Sequence, residues 1–145
     1  MSRGQPLPPT APAATLVDIE VRYAETDQMG VVHHSQYLVW FEVARTRRCQ
    51  EAGIHYADVE GMGYYLVVTR AELSFRRGAR YGETVEVACR TVHLGSRGMR
   101  FTYEVRRGEE VLATGATEHI WVAKATGRPC RMPEAVRPGF EKLAP

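Results

Sequence analysis

At 145 residues the chain is long enough for one domain to bury a core without disulfide or metal staples. Its 44% hydrophobic and 25% charged residues are those of an ordinary soluble globular protein, and a formal net charge of +2 makes no electrostatic case for nucleic acid. Cys49, Cys89 and Cys130 form no C-x-x-C pair, so neither a disulfide framework nor a zinc ribbon is predicted, and a reducing cytoplasm is the expected compartment.

Residues 1–14 carry four of the eight prolines and lack the apolar stretch of a signal peptide, so a disordered leader is expected there. The domain is expected over 15–136, with a C-terminal tail over 137–145, and the Pro- and Arg-rich stretch "GRPCRMPEAVRPGFEKLAP" is expected to run over the surface. No run of about 18 apolar residues occurs, so no membrane span is predicted. "TLVDIEVRY" alternates apolar and polar residues, as a half-buried strand does. A helix is predicted over 35–52, with Ser35 in its capping region and Gly53 as C-cap. The octet "YLVWFEVA" in that helix is apolar on every side except at Glu42. Such a helix is expected to be buried, with Glu42 a buried, hydrogen-bonded acid.

From Tyr64 onward the pattern turns to strands: "YYLVVTRAELSFRR", "ETVEVACRTVH", "MRFTYEVRR" and "EVLATGATEHIWVA". Glycine-bearing turns separate them, and "RRGEE" signals a tight hairpin. The predicted order is strand, helix, then four strands in a meander. This is an α+β fold in which one long buried helix packs on a five-stranded antiparallel sheet.

"YAETDQMGVVHHSQ" leads into the helix and is where chemistry concentrates. Asp27 follows a strand, His34 opens the helix, and Gly30 between them permits a turn that a side chain would obstruct. A helix N-terminus presents unpaired N–H groups and partial positive charge, a ready site for an oxyanion. A carboxylate facing it could attack a carbonyl carbon or activate water. Asp27 could equally be a turn or capping residue, and spacing alone leaves both readings open. His33, His55, His93 and His119 show no ligand spacing with His34, so no metal is expected.

The segment from Val21 to Arg45, with "TDQMGVVHHSQYLVWFEVAR", resembles the signature of hotdog-fold acyl-CoA thioesterases of the 4-hydroxybenzoyl-CoA thioesterase type. The similarity continues through "AELSFRRGARYGE", "GSRGMRF" and "ATGRPCRMPEAV", over about residues 17 to 136. The resemblance implies a hotdog fold, a helix wrapped by an antiparallel sheet. It further implies that Asp27 is the catalytic nucleophile or general base and that the backbone N–H at His34 polarises the thioester carbonyl. Gly30 matches the turn glycine. Gln36 stands where many members carry Asn, which bears on substrate preference. Protomers would pair as homodimers or homotetramers, with acyl-CoA bound at the dimer interface and no cofactor beyond the CoA of the substrate.

Between Arg70 and Arg107 stand nine Arg against four Glu, with no Lys or Asp. The resemblance assigns grip on the CoA phosphates to Ser96 and Arg97 in the turn before the fourth strand, and to Lys124 and Arg128 near the end of the fifth. Aromatics interleaved with this charge could suggest single-stranded nucleic acid, but they alternate as core strands do and no RNP-type motif occurs. Two rival functions remain: a non-catalytic acyl-CoA-binding module, and a dehydratase acting on 3-hydroxyacyl thioesters.

Overall fold

The computed structural model describes residues 13–145; the expected leader lies outside these apart from its last two residues. The elements in chain order are β1 (Thr15–Glu20), a 3-10 turn (Tyr23–Glu25), α1 (His34–Glu51), α2 (Tyr56–Gly61), β2 (Tyr64–Phe75), β3 (Thr84–Leu94), β4 (Gly98–Arg107) and β5 (Glu110–Ala123). A short β6 (Arg128–Pro129), a 3-10 turn (Glu134–Val136) and α3 (Arg137–Glu141) follow. All pairings are antiparallel, in the order β1-β3-β4-β5-β2, with β6 on β5.

The expected four-strand meander is only partly realised. β3, β4 and β5 form it, closed by a hairpin with Gly108 at φ 60°. β2 instead pairs with β5 at the far edge. The segment 76–83, expected to be a turn between neighbours, is a crossover. It bonds to the chain entering α1: Val32 N–H donates to Ala79 O at 2.9 Å and Val21 N–H to Glu83 O at 2.8 Å.

α1 buries Tyr37, Trp40, Phe41, Ala44, Arg48 and Cys49, a stripe at the 3.6-residue period. Phe41 stacks on Tyr103 of β4, centroids 4.2 Å apart. Gly115 lets the helix approach β5, since a Cβ there would lie 2.4 Å from Phe41 Cε2. The helix is not buried all round: Val39 is 47% exposed and Val43 41%. Glu42 is exposed too, because it lies off the buried stripe. His33, not Ser35, is the N-cap, its Nδ1 accepting from Ser35 N–H at 3.2 Å. At the other end Gly53 (φ 79°) follows the C-cap Ala52. Ile54 N–H returns to Cys49 O at 2.8 Å and Gly53 N–H to Gln50 O at 2.9 Å, a Schellman closure.

The tail does not run over the surface. Met132, Val136, Phe140 and Leu143 are buried, and Phe140 meets Trp121 edge-on at 5.6 Å. Arg48 is buried with no carboxylate bonded to it among the described residues. Its guanidinium donates to Thr91 Oγ1 at 2.9 Å, Ala13 O at 3.0 Å, Thr15 Oγ1 at 3.2 Å and Cys89 O at 3.3 Å. Such bonding offsets the desolvation of a buried cation.

Candidate active site

Asp27 is placed by a short closed loop. Thr26 and Val32 form an isolated bridge, and within it Asp27 N–H donates to Val31 O at 2.8 Å and Gly30 N–H to Asp27 O at 3.0 Å. Gly30 takes φ 80°, a left-handed conformation that L side chains rarely adopt. Asp27 Oδ1 accepts from Met29 N–H at 2.8 Å. Oδ2 has no hydrogen-bond partner among the described residues, and Asp27 is only half-buried. The residue is thus both the turn former and an available carboxylate.

At the helix mouth the His33 cap satisfies Ser35 N–H through its side chain and Gln36 N–H through its carbonyl, at 3.0 Å. Being the first residue of α1, His34 has no intrahelical acceptor for its own N–H, which adds to the positive end of the helix dipole. Asp27 and His34 share one cleft of about 310 Å³, walled also by Tyr37, Phe75, Arg76 and Gly78. The Asp27 turn divides this cleft from a second hollow of about 640 Å³ beside Tyr23 and Tyr81, whose rings meet edge-on at 5.7 Å. A further hollow of about 330 Å³ lies around Glu72, Arg90, Arg100 and Glu104. Ion pairs occupy that region: Arg100 meets Glu118 at 2.5 Å and Glu72 at 3.4 Å, and Glu104 is paired with Arg106.

The buried acid beside the site is Glu25, which the sequence reading missed. Its Oε1 accepts from Arg22 N–H and its Oε2 from Trp40 Nε1–H, both at 2.8 Å, and it is 3% exposed. Burial alone would raise its pKa, but the Arg22 amide, the Trp40 indole and the Arg22 cation together hold it below the usual carboxylate range. Only the acceptor needed by a buried indole N–H could have signalled it, and nothing local pairs Trp40 with a residue fifteen positions earlier.

Cys49 and Cys89 are buried and offer no nucleophile, since burial pushes Cys49 up to about 11 and Cys89 up to about 12. His119 is buried in the core, its Nε2 2.8 Å from Thr117 Oγ1 and its Nδ1 unpartnered. Burial, helped by the Arg45 cation, lowers its pKa to about 4. Among the described residues no three His, Cys, Asp or Glu side chains cluster to hold a metal ion.

Ser96, Arg97, Lys124 and Arg128 gather at one end of the sheet. Arg97 O accepts from Trp121 N–H at 3.1 Å, and Arg128 pairs with Ala123 across the β5–β6 hairpin. Lys124 Nζ lies 5.3 Å above the Tyr65 ring. The side chains of Ser96, Arg97 and Arg128 are exposed and make no hydrogen bond or ion pair among the described residues. This group does not join Asp27 and His34 within one chain.

An antiparallel sheet packed on one helix, with a carboxylate bonded at one oxygen beside that helix's N-terminus, defines the fold and the cleft at the helix mouth. The sequence profile of the thioesterase-like superfamily matches residues 21–140, and the chain belongs to that superfamily of thioester hydrolases. YneP of Bacillus subtilis (strain 168), named provisionally as an acyl-CoA thioesterase, is 37% identical over 119 residues, covering 81% of this chain and 86% of YneP. The crystal structure of TT1821, a hypothetical protein from Thermus thermophilus, superposes with a TM-score of 0.85 at 43% identity, over 89% of this chain and 98% of that one. The DHNA-CoA thioesterase from Staphylococcus aureus gives a TM-score of 0.83 at 33% identity, over 90% of this chain and 87% of its own. The fold is the hotdog fold of these thioesterases.

Proposed function

We propose that the protein hydrolyses an acyl-CoA thioester to the free acid and CoA, with Asp27 as general base or nucleophile and the N–H of His34 as oxyanion donor. The observation that carries this reading is the shared cleft of Asp27 and His34, with one carboxylate oxygen unpartnered. As general base, Asp27 Oδ2 takes a proton from water as the water oxygen bonds to the thioester carbon. The carbonyl electron pair moves onto oxygen and is met by the His34 N–H and the helix dipole. Collapse of the tetrahedral species breaks the C–S bond, and the departing thiolate recovers the proton from Asp27. As nucleophile, the same oxygen would bond to the carbonyl carbon and the C–S bond would break, expelling CoA thiolate and leaving an acyl–Asp27 anhydride. Water would then cleave the anhydride, restoring the Asp27 carboxylate and releasing the acid, with one proton of that water going to the thiolate.

In this proposal the working unit is a homodimer or a pair of such dimers. β2 supports it: a 12-residue edge strand on which Tyr65, Val67, Val68 and Phe75 are each more than a third exposed. Two-fold antiparallel pairing of β2 with a partner's β2 would set the Phe75 end of one chain against the Tyr64 end of the other. The partner's phosphate-binding group would then approach the Asp27 cleft. The names of YneP and of the Staphylococcus enzyme favour an acyl-CoA substrate. Release of free thiol from a panel of aliphatic and aromatic acyl-CoAs tests the reading. Binding without release would identify a sensor module instead, and loss of water from a 3-hydroxyacyl thioester would identify a dehydratase.

A further inference from the structure

We propose that Glu25 is a positioning residue for thioester hydrolysis, fixing the Asp27 turn relative to the His34 end of α1. The inference rests on the reading given under Proposed function. Three bonds made by this one residue carry it. Oε1 holds the Arg22 amide where the chain leaves β1, and Oε2 holds the indole of Trp40, almost two turns into α1. The main-chain carbonyl of Glu25 accepts from His33 N–H at 2.8 Å, immediately before His34. Asp27 lies two residues further along the same chain.

The remaining bonds in this region do not join the turn to the body of the helix. Thr26 pairs with Val32, and Asp27 N–H with Val31 O, so both ties stay inside the loop. Val32 N–H is held by Ala79 of the crossover. Glu25 alone among these grips the interior of α1, through a Trp40 ring that packs 4.9 Å from Tyr37 in the wall of the cleft. A carboxylate is a costly way to fill a buried volume that an apolar side chain could fill. What it gains here is fixed geometry, because it is bonded at both oxygens. Glu25 touches no substrate in this scheme. It acts by keeping the Asp27 carboxylate and the His34 N–H at a constant separation, where displacement by about 1 Å can cost on the order of 10²-fold in rate.

The test compares the full-length parent with Glu25→Gln, Trp40→Phe and the double variant on an acyl-CoA that the parent hydrolyses. Gln keeps the volume, but its amide nitrogen only donates, so one of the two donors, the Arg22 amide or the Trp40 indole, loses its acceptor. Trp40→Phe removes the indole donor and leaves the carboxylate in place. Each single variant should lower kcat about 10- to 100-fold with KM nearly unchanged, while the thermal midpoint shows a folded protein. The double variant should be no slower than the worse single one, because both break the same tether. A Glu25→Gln protein with parental kcat overturns the inference, as do independent, multiplying losses in the double variant. If Glu25→Gln does not fold, a parental kcat in Trp40→Phe overturns it instead. A parent that releases thiol from no acyl-CoA overturns the thioesterase reading, and this inference with it; an active parent with indifferent variants overturns this inference alone.

Discussion

Asp27 and Lys124 stand at opposite ends of β2. Phe75, the last residue of that strand, walls the Asp27 cleft, while Lys124 N–H is bonded to Gly63 O at 2.9 Å just before its first residue. Extended chain rises about 3.3 Å per residue, so the strand spans at most roughly 36 Å along its length, less where it bends at the irregularity between Val68 and Arg70. A thioester held at Asp27 is therefore far from the phosphate-binding candidates of its own chain, and a second chain paired along β2 would bring its own set within reach.

Light scattering at micromolar concentration should accordingly give at least twice the 16.3 kDa of the chain. A monomeric mass accompanied by full activity would contradict the shared site.

Asp27→Asn should fold normally, because the amide oxygen can still accept from Met29 N–H and keep the turn. Turnover should fall on the order of 10²- to 10⁴-fold, the usual loss for a general base. Near-parental thiol release by a freshly purified sample, checked for deamidation, would remove Asp27 from the mechanism.

If they grip the CoA phosphates as proposed, Arg97→Ala and Arg128→Ala should raise KM for acyl-CoA and leave kcat near its parental value, because a nucleotide that does not react would be bound equally in ground and transition states. A charge-assisted phosphate contact is worth roughly 1.5 to 3 kcal/mol. An acyl-pantetheine thioester, lacking the nucleotide, should be hydrolysed by variant and parent alike. Equal losses on both substrates would mean that these arginines support the fold or the dimer.

Acid stability should depend on His119. Its folded pKa of about 4 lies below the ordinary 6.5, so the unfolded chain takes up the proton first as pH falls. The contribution is intact above pH 6.5 and is lost progressively towards pH 4, amounting to about 3 kcal/mol. Glu25 and Glu83, both lowered from 4.5, weaken the fold only below that pH, so the interval from 6.5 to 4.5 isolates the histidine. Urea melts across that interval should slope downward with acid for the parent and stay flat for His119→Gln. An unchanged slope in the variant would assign the effect elsewhere.

The body of each strand was legible because alternation records which face is buried; β5 reads from Glu110 to Ala123 in sequence and structure alike, while β1 stops at Glu20, short of the alternation that runs on to Tyr23. Neighbours were not legible, since period-2 patterning is silent on which edge a strand joins, and β2 went to β5. Asp27 and His34 could be placed together because a seven-residue separation across a glycine turn is a local matter. Glu42 was misjudged by its apolar company, when the phase of the helix decides burial. Phe140 was missed because its burial depends on distant Trp121, and Glu25 because its burial depends on Trp40.

The separation of the two residue groups along β2 has a genetic corollary. In the proposed dimer, an Asp27→Asn chain lacks the chemistry but still offers its partner an intact phosphate grip, and an Arg128→Ala chain has the reverse defect. Co-expressed, the two alleles should complement within a single gene product: each mixed pair contains one wholly wild-type site and one doubly damaged site. Were every site built from one chain, mixing would restore nothing.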